Sequence, residues 1–154
     1  MKYNFFLKSA YLLGQESKCV SKQVGAILVH EYRIISTGYN GTPAGHVNCN
    51  EVFDPKNFDR EAHHRFSSQC ELHAETNAIA FAAKEGNATN DSIMFCTLEP
   101  CDDCIKLMIA AGVKNVYYLF DYDYSDKNNP LRQYLHIEKI TNEELEEFLK
   151  LLKK

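Results

Sequence analysis

The sequence predicts an α/β fold: a three-layer α-β-α sandwich around a five-stranded mixed sheet. Apolar runs of strand length alternate with helix-period segments from residue 73 onward, the order expected of a mostly parallel sheet covered by helices. Two of these runs, Ile93–Leu98 and Val116–Phe120, are nearly continuous in apolar residues, as strands buried on both faces are. Upstream, two β-rich runs stand a few polar residues apart, which calls for an antiparallel hairpin at the opening of the sheet.

Asn4 to Leu13 places Phe5, Phe6, Leu7, Tyr11 and Leu12 at helical spacing. The hairpin strands are Val24–Val29 and Arg33–Tyr39. From Asn40 to Glu71, Gly, Pro, Asn, His and charged residues dominate, and so long a connection inside a compact domain is usually functional. The Ala-rich segment His73–Lys84 reads as a helix stopped by Gly86, and Cys101–Ala111 as another closed by Gly112. A short helix at Pro130–Tyr134 leads to a fifth strand near His136–Ile140, and Thr141 caps a last helix, with Glu144 completing a capping box. With no repeat, low-complexity tract or linker, residues 1–154 read as a single domain.

Composition narrows the function classes. At 45% hydrophobic and 25% charged the chain is an ordinary globular one. No stretch approaches the roughly 20 apolar residues of a membrane span, and the first residues lack an apolar signal core, so the expected location is the cytoplasm, away from any membrane. The net charge of −4 speaks against nucleic acid as partner. It leaves room for a small phosphorylated molecule, which a few well-placed donors can hold. The six cysteines are, in such a compartment, more often metal ligands or buried apolar side chains than disulfides.

Their positions carry the chemistry. His73-Ala-Glu75 opens one helix and Pro100-Cys-Asp-Asp-Cys104 opens another. Cys101 and Cys104 fall on one side of a helical turn, Pro100 suits a helix entry, and a helix N-terminus favours the thiolate that binds zinc. Two cysteines three apart also recur in closed structural zinc sites, and His-Ala-Glu alone says little. Together they form the known signature of zinc nucleobase deaminases. On this reading His73, Cys101 and Cys104 hold a catalytic Zn2+ and leave one tetrahedral position for water. Glu75 carries protons from that water to the ring and to the departing amine.

Further stretches extend the pattern: Gln15–Cys19, Val24–Ala26, Ile34–Gly45, Val47–Cys49, Glu71–Glu75 with Asn77–Ile79, and Thr97–Cys104. In these the chain resembles the deoxycytidylate deaminases, within the cytidine deaminase-like fold, over nearly its whole length. The resemblance implies hydrolysis of dCMP to dUMP and ammonia. It implies that Asn40 and the following Gly41 and Thr42 hold sugar and phosphate, with Ala74 and Tyr122 as further substrate contacts. It also implies a second, structural Zn2+ at Cys19, Cys49, His63 and Glu71, with His64 and Cys70 as neighbouring alternatives, which would tie the long connection to the domain. The other reading of these cysteines is small buried side chains, and core packing is the reading for Cys96. Finally, the resemblance implies activation by dCTP with Mg2+, inhibition by dTTP and a homo-oligomer, a hexamer. It assigns no effector residues.

Two rivals stand beside this reading. One is another deaminase on the same fold, acting on adenosine in tRNA, on free cytidine or on guanine; a tRNA enzyme would show a basic surface, and a nucleoside enzyme would ignore the 5′-phosphate. The other is a catalytically silent zinc-binding module, against which the retained Glu75 counts.

Overall fold

The structure, a computed structural model, describes residues 2–153. Helix α1 (Tyr3–Gly14) precedes the hairpin β1 (Gly25–His30) and β2 (Arg33–Tyr39). Helices α2 (Cys49–Val52), α3 (Arg60–Cys70) and α4 (Ala74–Glu85) follow. The chain then alternates through β3 (Ile93–Leu98), α5 (Asp102–Ala110) and β4 (Asn115–Phe120). A 3-10 turn (Pro130–Tyr134), β5 (His136–Lys139) and α6 (Glu143–Leu152) complete it. The sheet order is β2-β1-β3-β4-β5. Strand β1 pairs antiparallel with both β2 and β3, while β3, β4 and β5 run parallel. This is the mixed five-stranded sheet that the sequence predicts. No helix among the described residues is long and apolar enough to cross a membrane.

Strand alternation divides the core in two. Ala26, Leu28, Met94, Cys96, Val116 and Tyr118 pack with Ala74, Ala78 and Ala82 of α4 and with Cys104, Ile105 and Met108 of α5. Ile27, Val29, Phe95, Tyr117 and Leu119 point the other way, onto Phe6, Leu7 and Ala10 of α1 and Leu145 of α6. Burial on both faces is why the strands read as unbroken apolar runs, and it accounts for Cys96 as core. Helix α4 sits unusually close to the sheet. A Cβ at Gly38 would fall 2.5 Å from the backbone nitrogen of Ala78, so only glycine permits that approach. Gly86 ends the helix in the left-handed region at φ 76°, the usual glycine C-terminal cap.

Three local expectations are corrected. The stretch from Asn40 to Glu71 is partly helical. Asp59 caps α3 by accepting from the amides of Glu61 and Ala62, and Asn48 with Glu51 forms a capping box on α2. An apolar stripe in α3 at Ala62, Phe66 and Cys70 is hidden among charges. At α6 the cap is Asn142, whose side chain accepts from the Leu145 amide at 3.0 Å, one residue beyond Thr141. Asn and Thr both suit that role, and the backbone chose the stronger cap. At α5, Cys101 itself is the capping residue, so Pro100 lies just outside the helix.

Candidate active site

Helices α4 and α5 begin side by side, α5 directly after the C-terminal end of β3, where open α/β sheets bind ligands. His73 caps α4, Cys101 caps α5 and Cys104 lies in the first turn of α5. This packing brings three donors separated in sequence to one point. His73 Nδ1 stands 3.4 Å from the sulfur of Cys101 and 3.4 Å from that of Cys104. Ligands held about 2.0–2.3 Å from a tetrahedral zinc stand about 3.5 Å apart, so the spacing fits such an ion.

A hydrogen bond from Cys104, with His73 beside it, outweighs burial and pulls Cys101 down to about 4, while the same contact and burial push Cys104 up. Contact with Cys101 raises His73 to about 8. The site is therefore disposed toward thiolate before any cation arrives. Glu75, on the first turn of α4, is buried. Burial raises its carboxyl, against the opposing influence of Cys104 and His73. A carboxyl held above its ordinary value close to the donors suits proton transfer near neutrality.

A second cluster lies nearby. Cys19 Sγ is 3.6 Å from His63 Nε2 and 3.7 Å from Glu71 Oε1, and His63 Nε2 is 3.7 Å from the same oxygen. Cys49 completes the group, with all four donor atoms within 4.8 Å of one another. The side chains of His63 and Glu71 are only 9% and 3% exposed. Phe53 and Phe58 flank His63 with ring centroids at 5.4 and 5.3 Å. Glu71 Oε2 is buried without a hydrogen-bond partner, a costly state for a carboxylate that a bound cation would relieve. Burial raises the thiols of Cys19 and Cys49, the latter to about 11. His63 enters the cluster and His64 does not, although both line the adjoining cavity, and Glu71 enters it in place of Cys70.

One residue, Leu72, separates the two clusters along the chain. Its amide donates to the Gly41 carbonyl at 2.8 Å and its carbonyl accepts from the Gly41 amide at 3.1 Å, so the loop after Asn40 is stitched between them. Asn40, Ala74 and Tyr122 line a cavity of about 760 Å³ that also reaches His73, Glu75 and Cys101. The Asn40 side chain accepts from the Val24 amide at 2.9 Å and donates to the Lys22 carbonyl at 2.8 Å; it braces the cavity wall. Gly41 and Thr42 instead line a neighbouring cavity of about 420 Å³ with Thr37, His46 and Phe81.

Sequence reasoning missed the cationic side of the larger cavity, formed by Ser21, Lys22 and Arg60. Arg60 Nη1 donates to Ser21 Oγ at 2.9 Å, and the Lys22 ammonium stands 4.3 Å over the Tyr122 ring. No local pattern marks them, because α3 must fold back before Arg60 meets Ser21.

A family model described as the cytidine and deoxycytidylate deaminase zinc-binding region matches residues 1–120. The deoxycytidylate deaminase of Enterobacteria phage T2 is 40% identical over 161 residues, covering 84% of this chain and 84% of the relative. That of Homo sapiens is 34% identical over 141 residues, covering 89% and 75%. A crystal structure of dCMP deaminase from the cyanophage S-TIM5 in complex with dCMP and dUMP superposes with a TM-score of 0.74 at 37% identity, covering 89% of this chain and 95% of that one.

Proposed function

The chain belongs to the cytidine and deoxycytidylate deaminase family, and from that premise we propose that it hydrolyses dCMP to dUMP and ammonia with a zinc ion held by His73, Cys101 and Cys104. The observation that carries this reading is the three-donor cluster beside buried Glu75, on a cavity that Lys22 and Arg60 also line. Zinc at that cluster would make water nucleophilic near neutrality for attack on C4 of the pyrimidine.

The chain's own residues do the rest. Glu75 takes a proton from the attacking water, delivers it to N3 and then passes one to the departing amine, so that water is consumed and ammonia released. Tyr122 forms the wall against the base. Ser21, Lys22 and Arg60 hold the 5′-phosphate through charge-assisted hydrogen bonds, and Asn40 keeps the segment from Lys22 to Val24 in place. Cys19, Cys49, His63 and Glu71 hold a second, structural zinc. It fixes α3, where Arg60 sits one turn before His63, and so fixes the phosphate side of the cavity. Activation by dCTP with Mg2+, inhibition by dTTP, a hexameric assembly and a cytoplasmic location for this single domain belong to the same reading.

The test is the ultraviolet change of cytosine on incubating zinc-loaded protein with dCMP, deoxycytidine or CMP. Loss of the cytosine spectrum with dCMP far ahead of deoxycytidine is expected. Equal rates would remove the phosphate from the reading, and no change with any of the three would overturn the reaction.

A further inference from the structure

Glu99 closes the turn that delivers Pro100 and Cys101, and its side chain is wholly buried. One oxygen accepts from Lys127 Nζ at 2.6 Å and from Arg132 Nη2 at 2.9 Å. The other accepts from the backbone amide of Tyr122 at 3.2 Å. Two further bonds join the same segments: Ser125 Oγ donates to the Pro100 carbonyl at 2.8 Å, and Asn129 Nδ2 to Asp102 Oδ1 at 2.7 Å. The loop after β4, which brings Tyr122 and Tyr124 into the cavity wall, is thus fastened onto the turn that carries the metal-facing cysteine.

A buried carboxylate is a poor device for stability alone, because desolvation offsets most of what its ion pairs return. What it provides is direction. One oxygen is fixed by two cations, which leaves the other aimed at one backbone amide. That amide belongs to the residue whose ring lines the cavity together with His73 and Cys101. We propose that Glu99 is a positioning residue for substrate recognition: anchored by Lys127 and Arg132, it sets the distance between the Tyr122 ring and the metal-binding turn, and so the width of the slot that receives the pyrimidine. The inference rests on the dCMP reading for its substrate, but not for its geometry.

The chain contains no tryptophan, so Tyr124→Trp places a single emitter on the loop. In the zinc-loaded full chain, E99Q should lower the anisotropy of that emitter, and unchanged anisotropy overturns the positioning. In kinetics, E99Q should raise KM for dCMP roughly tenfold while kcat moves less than about threefold, the mark of lost binding rather than lost chemistry. Bound zinc should stay at the wild-type level. In a Y122A background the same E99Q change should alter KM less than about twofold, because residues acting through one another are non-additive. Equal effects in both backgrounds would overturn the proposal, as would an unchanged KM. K127M, which removes a cation at the more exposed end of the network, should shift KM and anisotropy the same way by less, and covers the case in which E99Q does not fold. A wild-type chain that leaves dCMP intact would overturn the reaction instead, and the anisotropy would still decide the positioning.

Discussion

His73, Cys101 and Cys104 meet at two helix N-termini, whereas Cys19, Cys49, His63 and Glu71 are gathered from the chain between α1 and α4, and both groups reach the same cavity. The first group offers three donors and the second four, and the difference separates a site with a free position from one with none. Their surroundings differ in the same sense. In the open cluster a sulfur neighbour and an imidazole hold Cys101 near 4 while Cys104 is pushed up, whereas burial drives both thiols of the closed one up. Only Leu72 lies between Glu71 and His73, and its paired hydrogen bonds with Gly41 make the closed cluster a support for the open one.

The comparison breaks hardest at Glu75. E75Q should lower kcat by roughly 10³-fold, within the range of lost acid–base catalysis, while zinc content and thermal stability stay at the wild-type level; retained turnover would sink the assignment. Next comes the closed cluster. C49A should lose one zinc by atomic absorption and lower the Tm by about 5–10 °C, because the buried Glu71 carboxylate is then left without its cation. The remaining zinc should stay on the open cluster, and loss of both ions would mean that the two are not separable. Smaller again, R60Q should raise KM for dCMP about tenfold with little effect on deoxycytidine, since one charge-assisted contact to phosphate is worth roughly 1.5–3 kcal/mol. A parallel loss on both substrates would place Arg60 in the support of α3 rather than against phosphate.

The same contrast governs what could be read from the sequence. The sheet and its flanking helices were legible because Ile93–Leu98 and Val116–Phe120 are buried on both faces and α4 and α5 keep apolar residues in register. The open cluster was legible because each of its donors opens a helix that follows a strand or a loop with a recognisable stop. The closed one became visible only through the family resemblance, since its four residues span Cys19 to Glu71 and His63 lies on a helix whose apolar stripe is thin. Ser21, Lys22 and Arg60 were not legible at all. A lysine and an arginine in polar stretches look like any solvated charge until α3 is folded against the segment after Cys19. Glu99 was hidden differently: its importance lies in a loop, from Asp121 to Asn129, that has no periodicity to predict where it returns.

Acidification is the smallest perturbation and should act on both clusters in the same direction. A thiol must give up its proton to bind zinc, so proton competition grows as pH falls, and more so where the metal-free thiol titrates high. Burial places Cys49 at about 11, so at neutral pH the closed cluster releases protons from its thiols when it fills. In the open cluster Cys101 is held low, but Cys104, which the same contact pushes up, and His73, raised to about 8, must still give up their protons when zinc binds. The sign is therefore the same for both clusters, with occupancy rising with pH. Metal-free protein equilibrated in a fixed zinc buffer between about pH 5.5 and about pH 8 should gain zinc as the pH rises, and C49A should gain one ion fewer. Zinc content that is flat or falls as the pH rises would overturn the thiols as ligands, because proton competition at those donors leaves no other sign.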